Sequence, residues 1–347
     1  MIRLDCDYME GAHPKVLQKL IETNEVSTPG YGNDAFTAAA KDKVRLACGC
    51  PDADVYFLVG GTQTNATVID ALLARHEGVI AAESGHINVH ESGAIEATGH
   101  KVLVLPQHEG KLKAEEVEKF IDDFYADETY EHMVAPGMVY ISNPTEYGTI
   151  YTLEELADLS TVCEQAGIPL YMDGARLAYA LAAEGNDVTL NDVARLCDVF
   201  YIGGTKVGAL FGEAVVIGNA ALNEDFRYKI KQRGGMLAKG RLLGIQFAAL
   251  MEVNLYFDIA ANAVRLADQI RHTLDELGVS YLVHGTTNQI FPILSDAFLD
   301  KLSKNFMFTE MERVDENHRA VRFCTSWAST PENVDALCKE MVRIATL

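Results

Sequence analysis

The sequence is poor in positive charge and has no long apolar run. It carries 29 Lys and Arg residues against 50 Asp and Glu residues, which gives a formal net charge of -21. A surface this acidic repels nucleic acid and anionic lipid. No uninterrupted apolar stretch approaches the length of a membrane-spanning helix. We therefore expect neither a nucleic-acid partner nor a membrane partner.

Cysteine usage and the N-terminal segment favour a reducing compartment. The seven cysteines are scattered and odd in number, so they do not form a disulfide framework. Cys48-Gly-Cys50 has no second cysteine pair and therefore lacks the pattern of a zinc site. Residues 1–10 carry acids where a secretory signal peptide carries bases followed by an apolar core. We expect a cytoplasmic protein without a bound metal.

The pattern of apolar residues indicates an α/β fold. The 347 residues are 48% hydrophobic and 23% charged, which is ordinary for a globular chain with an ample core. From about residue 55 to 217, short apolar runs alternate with helical segments, which predicts a mainly parallel central sheet covered by helices. The predicted strands cover residues 55–59, 79–82, 101–105, 138–142, 168–173, a run from 199, and 214–217. Helices are predicted at 13–24, 35–48, 66–75, 114–124 and 153–166.

The C-terminal part of the chain has a different pattern, typical of a small α+β unit. A helical pattern from about Leu242 to Glu276 is unusually long and predicts a connection between domains. Strands are predicted near residues 280–284, 289–294 and 320–324, and helices near 296–303 and 332–345. We therefore predict a large domain over residues 1–245 and a small one over 246–347, with residues 1–11 packing near the cleft between them.

Two charged residues end two of the predicted strands. One apolar run stops at Asp173-Gly-Ala-Arg176, and the next stops at Gly203-Gly-Thr-Lys206. In an open α/β sheet, ligands bind outside the carboxyl ends of the strands. A lysine there suits a covalent link to the aldehyde of pyridoxal phosphate (PLP), whose ring nitrogen needs an anionic partner. Each motif alone is also common in an ordinary turn or a solvated loop.

Three further features allow a functional and a structural interpretation. Gly60-Gly-Thr-Gln-Thr-Asn65 before a helix forms either an anion-binding cradle or an ordinary helix cap. His86 follows a strand and either stacks on a planar ring, caps a helix, or pairs with His90 on a metal. Arg322 interrupts an apolar strand, so it either faces solvent at a sheet edge or binds a carboxylate in the cleft.

These motifs together resemble the PLP-dependent threonine aldolase and β-eliminating lyase family of fold type I, over essentially the whole chain. No Gly-x-Gly-x-x-Gly motif follows a predicted strand, which disfavours a nicotinamide-binding protein. The residues that carry the resemblance are Leu4-Asp-Cys-Asp7, Gly30-Tyr-Gly-Asn-Asp34, Gly60-Gly-Thr-Gln-Thr-Asn65, Ser84-Gly-His86, Asp173-Gly-Ala-Arg176, Thr205-Lys206 and Val321-Arg322-Phe323.

The resemblance implies a role for each candidate site residue. Lys206 would bind PLP covalently, Asp173 would pair with its ring nitrogen, and His86 would stack on the ring. Its phosphate would be bound by Gly61, Thr62 and Thr205. The substrate carboxylate would be held by Arg176 and Arg322, because a guanidinium group matches a carboxylate with two hydrogen bonds. Cys6 occupies the position of a substrate-binding serine.

The resemblance also implies the reaction and the assembly. It predicts retro-aldol cleavage of L-threonine or L-allo-threonine into glycine and acetaldehyde, by a homodimer or homotetramer. Residues 30–34 would approach the partner subunit's cofactor. A second PLP reaction, either β-elimination or transamination, is the alternative among enzymes, and a non-catalytic ligand-binding protein is the alternative outside them.

Three departures from the family pattern leave the substrate and the base open, and Cys6 in place of the serine is the first of them. Threonine aldolases usually carry Glu-Asn-Thr-His in a loop that here contains Asn143-Pro-Thr-Glu146 and no histidine. The usual arginine after a run of glycine and methionine falls at Leu237, with Lys239 nearby. The candidates for the base that acts on the substrate β-hydroxyl group are therefore His90, Glu91, and a water molecule held by Thr145 or Glu146.

Overall fold

The computed structural model describes residues 1–346 and has an α/β architecture with a large sheet and a smaller C-terminal unit. In chain order the strands are β1 Ile2–Arg3, β2 Asp54–Leu58, β3 Glu77–Ala82, β4 Val102–Leu105, β5 Ala135–Ser142, β6 Leu170–Asp173, β7 Val199–Gly203, β8 Glu213–Ile217, β9 Gln289–Ile290, β10 Ile293–Ser295, β11 Phe306–Met307, β12 Thr309–Arg313 and β13 His318–Cys324.

The helices alternate with the strands of the large sheet. They are α1 Pro14–Thr23, α2 Ala35–Cys48, α3 Gly61–Leu72, α4 His86–Val89, α5 Ala114–Ala126, α6 Leu153–Ala166, α7 Leu177–Leu181, α8 Leu190–Leu196, α9 Phe226–Gln232, α10 Arg241–Leu250, α11 Leu255–Glu276, α12 Asp296–Leu302 and α13 Pro331–Ala345. The helix predicted at residues 66–75 is α3, which begins and ends earlier than expected: Gly61 is already helical, and Gly60 is its extended N-cap residue.

The predicted mainly parallel sheet is confirmed. Within residues 1–346 its strand order is β2-β8-β7-β6-β5-β3-β4. Strands β3 to β7 pair parallel to one another, whereas β8 pairs antiparallel with both β2 and β7. The carboxyl ends of β5, β6 and β7 therefore lie together at one edge of the sheet, where ligands bind in such folds.

Both faces of this sheet are covered, as its continuous apolar strands predict. Along β7, Phe200 and Ile202 pack into one hydrophobic core, and Val199 and Tyr201 pack into a second core on the opposite face. All four side chains are fully buried. The alternation follows from strand geometry, because successive side chains point to opposite faces.

The C-terminal unit has a third core and a small antiparallel sheet. Its sheet order is β10-β13-β12, with β9 paired to β13, and β1 pairs parallel with β11. Leu4 near the N-terminus packs in this core beside α11 and α13. The strand predicted near residues 280–284 is wrong: Tyr281 makes only an isolated bridge to Pro292. Strands β11 and β12 were not expected from the sequence.

The single long helix predicted from Leu242 to Glu276 is also wrong. It is divided into α10 and α11, which meet at an angle of 65°. The break contains Val253 and Asn254, whose backbone φ angles of 48° and 62° are left-handed and cannot continue an α-helix. The two helices pass a length and composition test for a membrane span only when taken together, and none of the helices in residues 1–346 passes it singly.

Helix α11 contributes to two cores. Its side chains up to Val264 pack with the large sheet, and those from Leu266 onward pack in the C-terminal core. This distribution supports an inter-domain role for the helix. The proposed boundary between residues 245 and 246 remains a prediction.

Candidate active site

The candidate active site lies where the parallel strands end together. Asp173 is the last residue of β6 and is aligned with Ser142 at the end of β5. Lys206 follows the end of β7, and His86 begins α4 after β3. Lys206, Asp173 and His86 all line one cavity of about 220 Å³, which we call the Lys206–Asp173 cavity. The structure therefore brings together three residues that are far apart in the sequence.

The carboxylate of Asp173 is buried and accepts several hydrogen bonds. The Tyr140 hydroxyl (2.7 Å) and Asn65 Nδ2 (3.0 Å) donate to its Oδ2, and the Tyr201 hydroxyl (2.5 Å) donates to its Oδ1. Burial acts to raise the pKa of Asp173, but the charge of His86 and these hydrogen bonds outweigh it, so the pKa lies below its ordinary value. Asp173 is therefore held as an anion, as the partner of a protonated ring nitrogen must be.

Lys206 has a pKa below its ordinary value. Burial is the main cause, and the nearby guanidinium group of Arg176 acts in the same direction. The carboxylates of Asp7, Asp173 and Glu213 oppose this shift without cancelling it. A lowered pKa increases the fraction of neutral amine at neutral pH, and the neutral amine is the form that attacks a carbonyl carbon.

His86 is oriented by a buried carboxylate. Its Nδ1 lies 2.7 Å from Glu91 Oε1, and the same oxygen accepts a hydrogen bond of 2.7 Å from Asn65 Nδ2. Burial acts to lower the pKa of His86, but the hydrogen bond to Glu91 and the charge of Asp173 outweigh it and raise the pKa. Asn65 also donates to Asp173, so one amide group connects the partner of His86 with Asp173.

The position of His86 bears on the metal alternative. The ring centroids of His86 and His90 lie 5.6 Å apart with an interplanar angle of 57°. Within residues 1–346, no group of three or more His, Cys, Asp and Glu side chains is arranged to hold a metal ion. His86 lines the Lys206–Asp173 cavity, and on that observation we assign its ring to this cavity.

Glu146 supplies a carboxyl group from the loop that lacks the family histidine. Its Oε1 accepts hydrogen bonds from the backbone N–H of His86 (2.9 Å) and from Ser142 Oγ (2.7 Å). Burial is the main cause that raises its pKa above the ordinary value. Of the other candidate bases, Thr145 is buried and its hydroxyl contacts Thr149 Oγ1 at 2.7 Å. The structure thus distinguishes Glu146 from Thr145, which the sequence alone did not.

The start of α3 has the open helix N-terminus that an anion-binding cradle requires. The helix begins at Gly61, and its N-cap residue Gly60 is extended and offers no side-chain cap. Gly60, Gly61 and Thr62 all line the Lys206–Asp173 cavity. A Cβ atom on Gly61 would lie 3.1 Å from the Tyr201 hydroxyl, so a side chain would crowd the cradle. Backbone N–H groups at a helix N-terminus, together with the helix dipole, fit a phosphate group.

Thr205, which was expected to donate to the phosphate, lines the Lys206–Asp173 cavity and also contacts Glu213. Its Oγ1 lies 2.7 Å from Glu213 Oε1 and accepts a hydrogen bond of 3.0 Å from the backbone N–H of Gly212. A hydroxyl group has one hydrogen to donate, so an ionised Glu213 takes the hydrogen that the phosphate was expected to receive. The role predicted for Thr205 therefore depends on the protonation state of Glu213.

Arg176 lines the Lys206–Asp173 cavity and also contacts a carboxylate of the chain itself. Its Nε and Nη2 donate to the two oxygens of Asp7 at 2.6 and 3.0 Å, and Asn288 Nδ2 donates to Asp7 Oδ2 at 2.9 Å. Burial acts to raise the pKa of Asp7, but Arg176 and Lys206 outweigh it and lower the pKa to about 2. The Nε–Nη2 edge of Arg176 is therefore already occupied by a carboxylate of the chain itself, and the arginine anchors the N-terminal segment.

Arg322 is placed more favourably for a substrate carboxylate. It lies on β13 and lines a second cavity of about 710 Å³, the Arg322 cavity, which shares Lys206, His86, Glu146 and Arg176 with the first. Its Nη2 donates to the carbonyl oxygen of Asp5 at 3.1 Å and lies 3.8 Å from Cys6 Sγ, and its Nη1 lies 3.4 Å from Gln289 Oε1. Among residues 1–346 its buried Nε finds no hydrogen-bond partner. A buried unsatisfied donor beside a cavity fits an anionic ligand.

Sequence reasoning missed several residues that shape this site. Tyr140 and Tyr201 sit inside apolar strands, where a tyrosine usually finds a partner for its hydroxyl group when buried. Glu213 begins β8 in Gly212-Glu-Ala-Val-Val-Ile217, and a carboxylate joined to an apolar strand is a recognisable sign of a buried acid. The sequence shows these side chains, but it does not show that the tyrosines contact Asp173 or that Glu213 contacts Thr205.

The comparisons with known proteins agree with this geometry. The sequence profile of the beta-eliminating lyase family matches residues 7–297. A low specificity L-threonine aldolase from Pseudomonas aeruginosa is 30% identical over 339 residues, which cover 96% of this chain and 95% of the relative.

Two solved structures extend the comparison to the fold. The structure of a Leishmania major threonine aldolase is similar with a TM-score of 0.96 and 42% identity, over 99% of this chain and 100% of that one. A Thermus thermophilus aspartate aminotransferase double mutant matches with a TM-score of 0.72 and 13% identity, over 99% of this chain and 91% of that one. At that identity the second likeness concerns the fold alone, which is that of fold type I enzymes.

Proposed function

The chain belongs to the beta-eliminating lyase family and is a lyase of fold type I, and from that premise we propose that it is a low-specificity L-threonine aldolase that uses PLP. The observation that carries the proposal is that the Lys206 amine, the Asp173 carboxylate and the Arg322 guanidinium group line two cavities that share residues. This arrangement offers an amine for an aldehyde, an anion for a ring nitrogen and a cation for a carboxylate.

The residues of the Lys206–Asp173 cavity fit PLP. Lys206 would bind it covalently, Asp173 would hold its ring nitrogen protonated, and His86 would stack on its ring. Its phosphate would lie at Gly61 and Thr62, where the helix N-terminus is open. Bound there, PLP supplies an electron-accepting ring system for the bond that breaks at the substrate Cα.

The substrate is an amino acid whose carboxylate is bound by Arg322. Cys6 and Gln289 lie beside the guanidinium group and limit where the carboxylate can lie. Fixing the carboxylate matters because the orientation of the substrate decides which of the bonds at Cα breaks. Arg176 supports this role indirectly, by holding Asp7 and the N-terminal segment that contributes Cys6.

Glu146 is the base that the structure favours. Its carboxylate would take the proton from the substrate β-hydroxyl oxygen while the Cα–Cβ bond breaks, and that oxygen becomes the carbonyl oxygen of the released aldehyde. A proton then returns to Cα, which gives glycine. The backbone N–H of His86 and the Ser142 hydroxyl fix Glu146 Oε1 in position for this task.

Assembly and location complete the proposal. We propose a homodimer or homotetramer in the cytoplasm, in which residues 30–34 approach the partner subunit's cofactor. The backbone N–H of Tyr31 donates to the carbonyl oxygen of Ala238 at 3.2 Å. Residues 30–34 therefore pack against the segment that contains Leu237 and Lys239, where the sequence departs from the family pattern. Tyr31 is 46% exposed in the single chain, which leaves it accessible to a second subunit.

The reaction is tested by identifying the products from four amino acids. The protein with PLP is incubated separately with L-threonine, L-allo-threonine, L-serine and L-cysteine. We expect glycine and acetaldehyde from the two threonine isomers. Pyruvate from serine or cysteine, without glycine from either threonine, would replace the aldolase by a β-eliminating lyase. A keto acid formed with the aminated cofactor would indicate transamination, and no turnover of any substrate would favour a ligand-binding protein.

The carboxylate role is tested by Arg322→Lys. Lysine cannot present the two-pronged guanidinium group, so one charge-assisted hydrogen bond is lost. The loss of transition-state stabilisation should be about 1.5–3 kcal/mol, so we expect kcat/KM for L-threonine to fall roughly 10- to 150-fold. Arg313→Lys, in an exposed position on β12, is the matched control and should leave kcat/KM unchanged. An unchanged value for Arg322→Lys would show that the carboxylate binds elsewhere.

A further inference from the structure

Glu213 is a buried carboxyl group at the start of β8 that the reaction described above does not use. Its side chain is 3% exposed, and it lines the Lys206–Asp173 cavity together with Gly61, Thr62 and Thr205. Its two oxygens contact the turn that carries Lys206. Thr205 Oγ1 lies 2.7 Å from Oε1, and the backbone N–H of Gly204 donates to Oε2 at 3.1 Å.

The hydroxyl hydrogen of Thr205 can point in one of two directions, depending on the protonation state of Glu213. Its Oγ1 accepts from the Gly212 backbone N–H, so one hydrogen remains to be directed. If Glu213 is ionised, it only accepts, and the Thr205 hydrogen points at Glu213. If Glu213 is protonated, its own O–H donates to Thr205 Oγ1, and the Thr205 hydrogen is free for another acceptor in the cavity.

The surroundings of Glu213 favour the protonated form at neutral pH. Burial raises the pKa of Glu213 to about 8, although its contacts with Thr205 and Gly204 and the charge of Lys206 act in the opposite direction. The other ionisable groups that face it are Asp173, Tyr171, Tyr201 and Tyr256, none of which offers a cation. A phosphate dianion in the same cavity adds a like charge and disfavours ionisation further.

We propose that Glu213 is a protonated positioning residue that turns the Thr205 hydroxyl hydrogen toward the cofactor's phosphate. In this state the acid also adds no negative charge beside the phosphate. The inference rests on the proposed PLP site and adds a device that makes phosphate binding depend on pH. Deprotonation of Glu213 costs the phosphate one donor and places an anion beside it.

The test uses pyridoxamine 5′-phosphate, which binds without a covalent link to Lys206. Its dissociation constant for the full-length chain is measured from pH 7 to 9.5, with pyridoxamine, which lacks the phosphate, as the second ligand. Affinity for the phosphorylated ligand should be constant below about pH 8 and then fall by up to about tenfold per pH unit. Pyridoxamine should not show this fall.

Glu213→Gln mimics the protonated acid, because its amide can donate to Thr205 and accept from the Gly204 backbone N–H. Affinity of this variant for pyridoxamine 5′-phosphate should stay high across the whole pH range. If the variant shows the same fall as the wild-type protein, Glu213 is not the titrating group and the inference is overturned. Thermal melting checks that the variant is folded.

Thr205→Val provides an independent readout that does not need a variant of Glu213. It should weaken binding of the phosphorylated ligand about tenfold at pH 7, where Thr205 donates to the phosphate, and much less at pH 9.5. Thr205→Ser should restore wild-type binding. An equal loss for Thr205→Val at both pH values would contradict the inference.

The outcomes separate this inference from the proposed function. If pyridoxamine 5′-phosphate binds and Thr205→Val and Glu213→Gln behave like the wild-type protein at every pH, only the role of Glu213 is wrong. If the ligand does not bind at all and PLP forms no link to a lysine, both the cofactor proposal and the inference are overturned.

Discussion

Replacing Lys206 by alanine is expected to reduce cleavage of L-threonine by about 10³-fold or more, because the amine that would link to the cofactor and exchange it with the substrate is removed. PLP should still bind without a covalent link, since Asp173, His86 and the start of α3 are unchanged. The measurement is kcat for glycine formation, together with the absorption spectrum of the bound cofactor.

The control for this prediction is Lys101→Ala, in an exposed position just before β4. It removes the same charge and should leave both activity and cofactor binding unchanged. If Lys206→Ala retained wild-type activity, the covalent role of this lysine would be wrong. Retained activity would also contradict the proposed function, which depends on the Lys206 amine.

Glu146→Gln is expected to lower kcat for L-threonine by about 10²- to 10⁴-fold, the usual contribution of a general base. Glutamine keeps the size of the side chain and can still accept the hydrogen bonds from His86 N and Ser142 Oγ. Exchange of the glycine Cα hydrogen with solvent deuterium involves no β-hydroxyl group, so it should persist. That exchange distinguishes a lost base from a damaged site.

The pH dependence of the same reaction gives a second check. Glu146 accepts a proton only when ionised, and burial raises its pKa. Activity of the wild-type protein should therefore fall as the pH is lowered through that raised pKa. Glu83→Gln, at an exposed position lining the Arg322 cavity, is the matched control. Full activity in Glu146→Gln would move the base to His90 or Glu91.

The sequence allowed the positions of Asp173 and Lys206 to be predicted because the ends of strands can be read from the local sequence. An apolar run that stops at a charged residue places that residue at the edge of the sheet, whatever the rest of the chain does. The glycine after Asp173 is required by the close approach of the two strand ends. A Cβ atom on Gly174 would lie 1.9 Å from the carbonyl oxygen of Tyr201, so only glycine allows β6 and β7 to end together.

The roles of Arg176 and Thr205 could not be predicted in the same way. Each depends on a partner that is placed by the fold: Asp7 is 169 residues from Arg176, and Glu213 lies across a turn from Thr205. Local sequence shows that an arginine or a hydroxyl group is present, but not whether its donors are already used. The break between α10 and α11 was missed for a related reason, since the apolar pattern continues through it.

The most direct test of the account is to locate the cofactor on the chain. The purified protein is incubated with PLP, reduced with borohydride, digested, and its peptides are mapped by mass spectrometry. We expect loss of the visible absorption band on reduction and a single phosphopyridoxyl group on Lys206. A stable adduct on a different lysine, or no adduct and no visible band, would contradict this expectation.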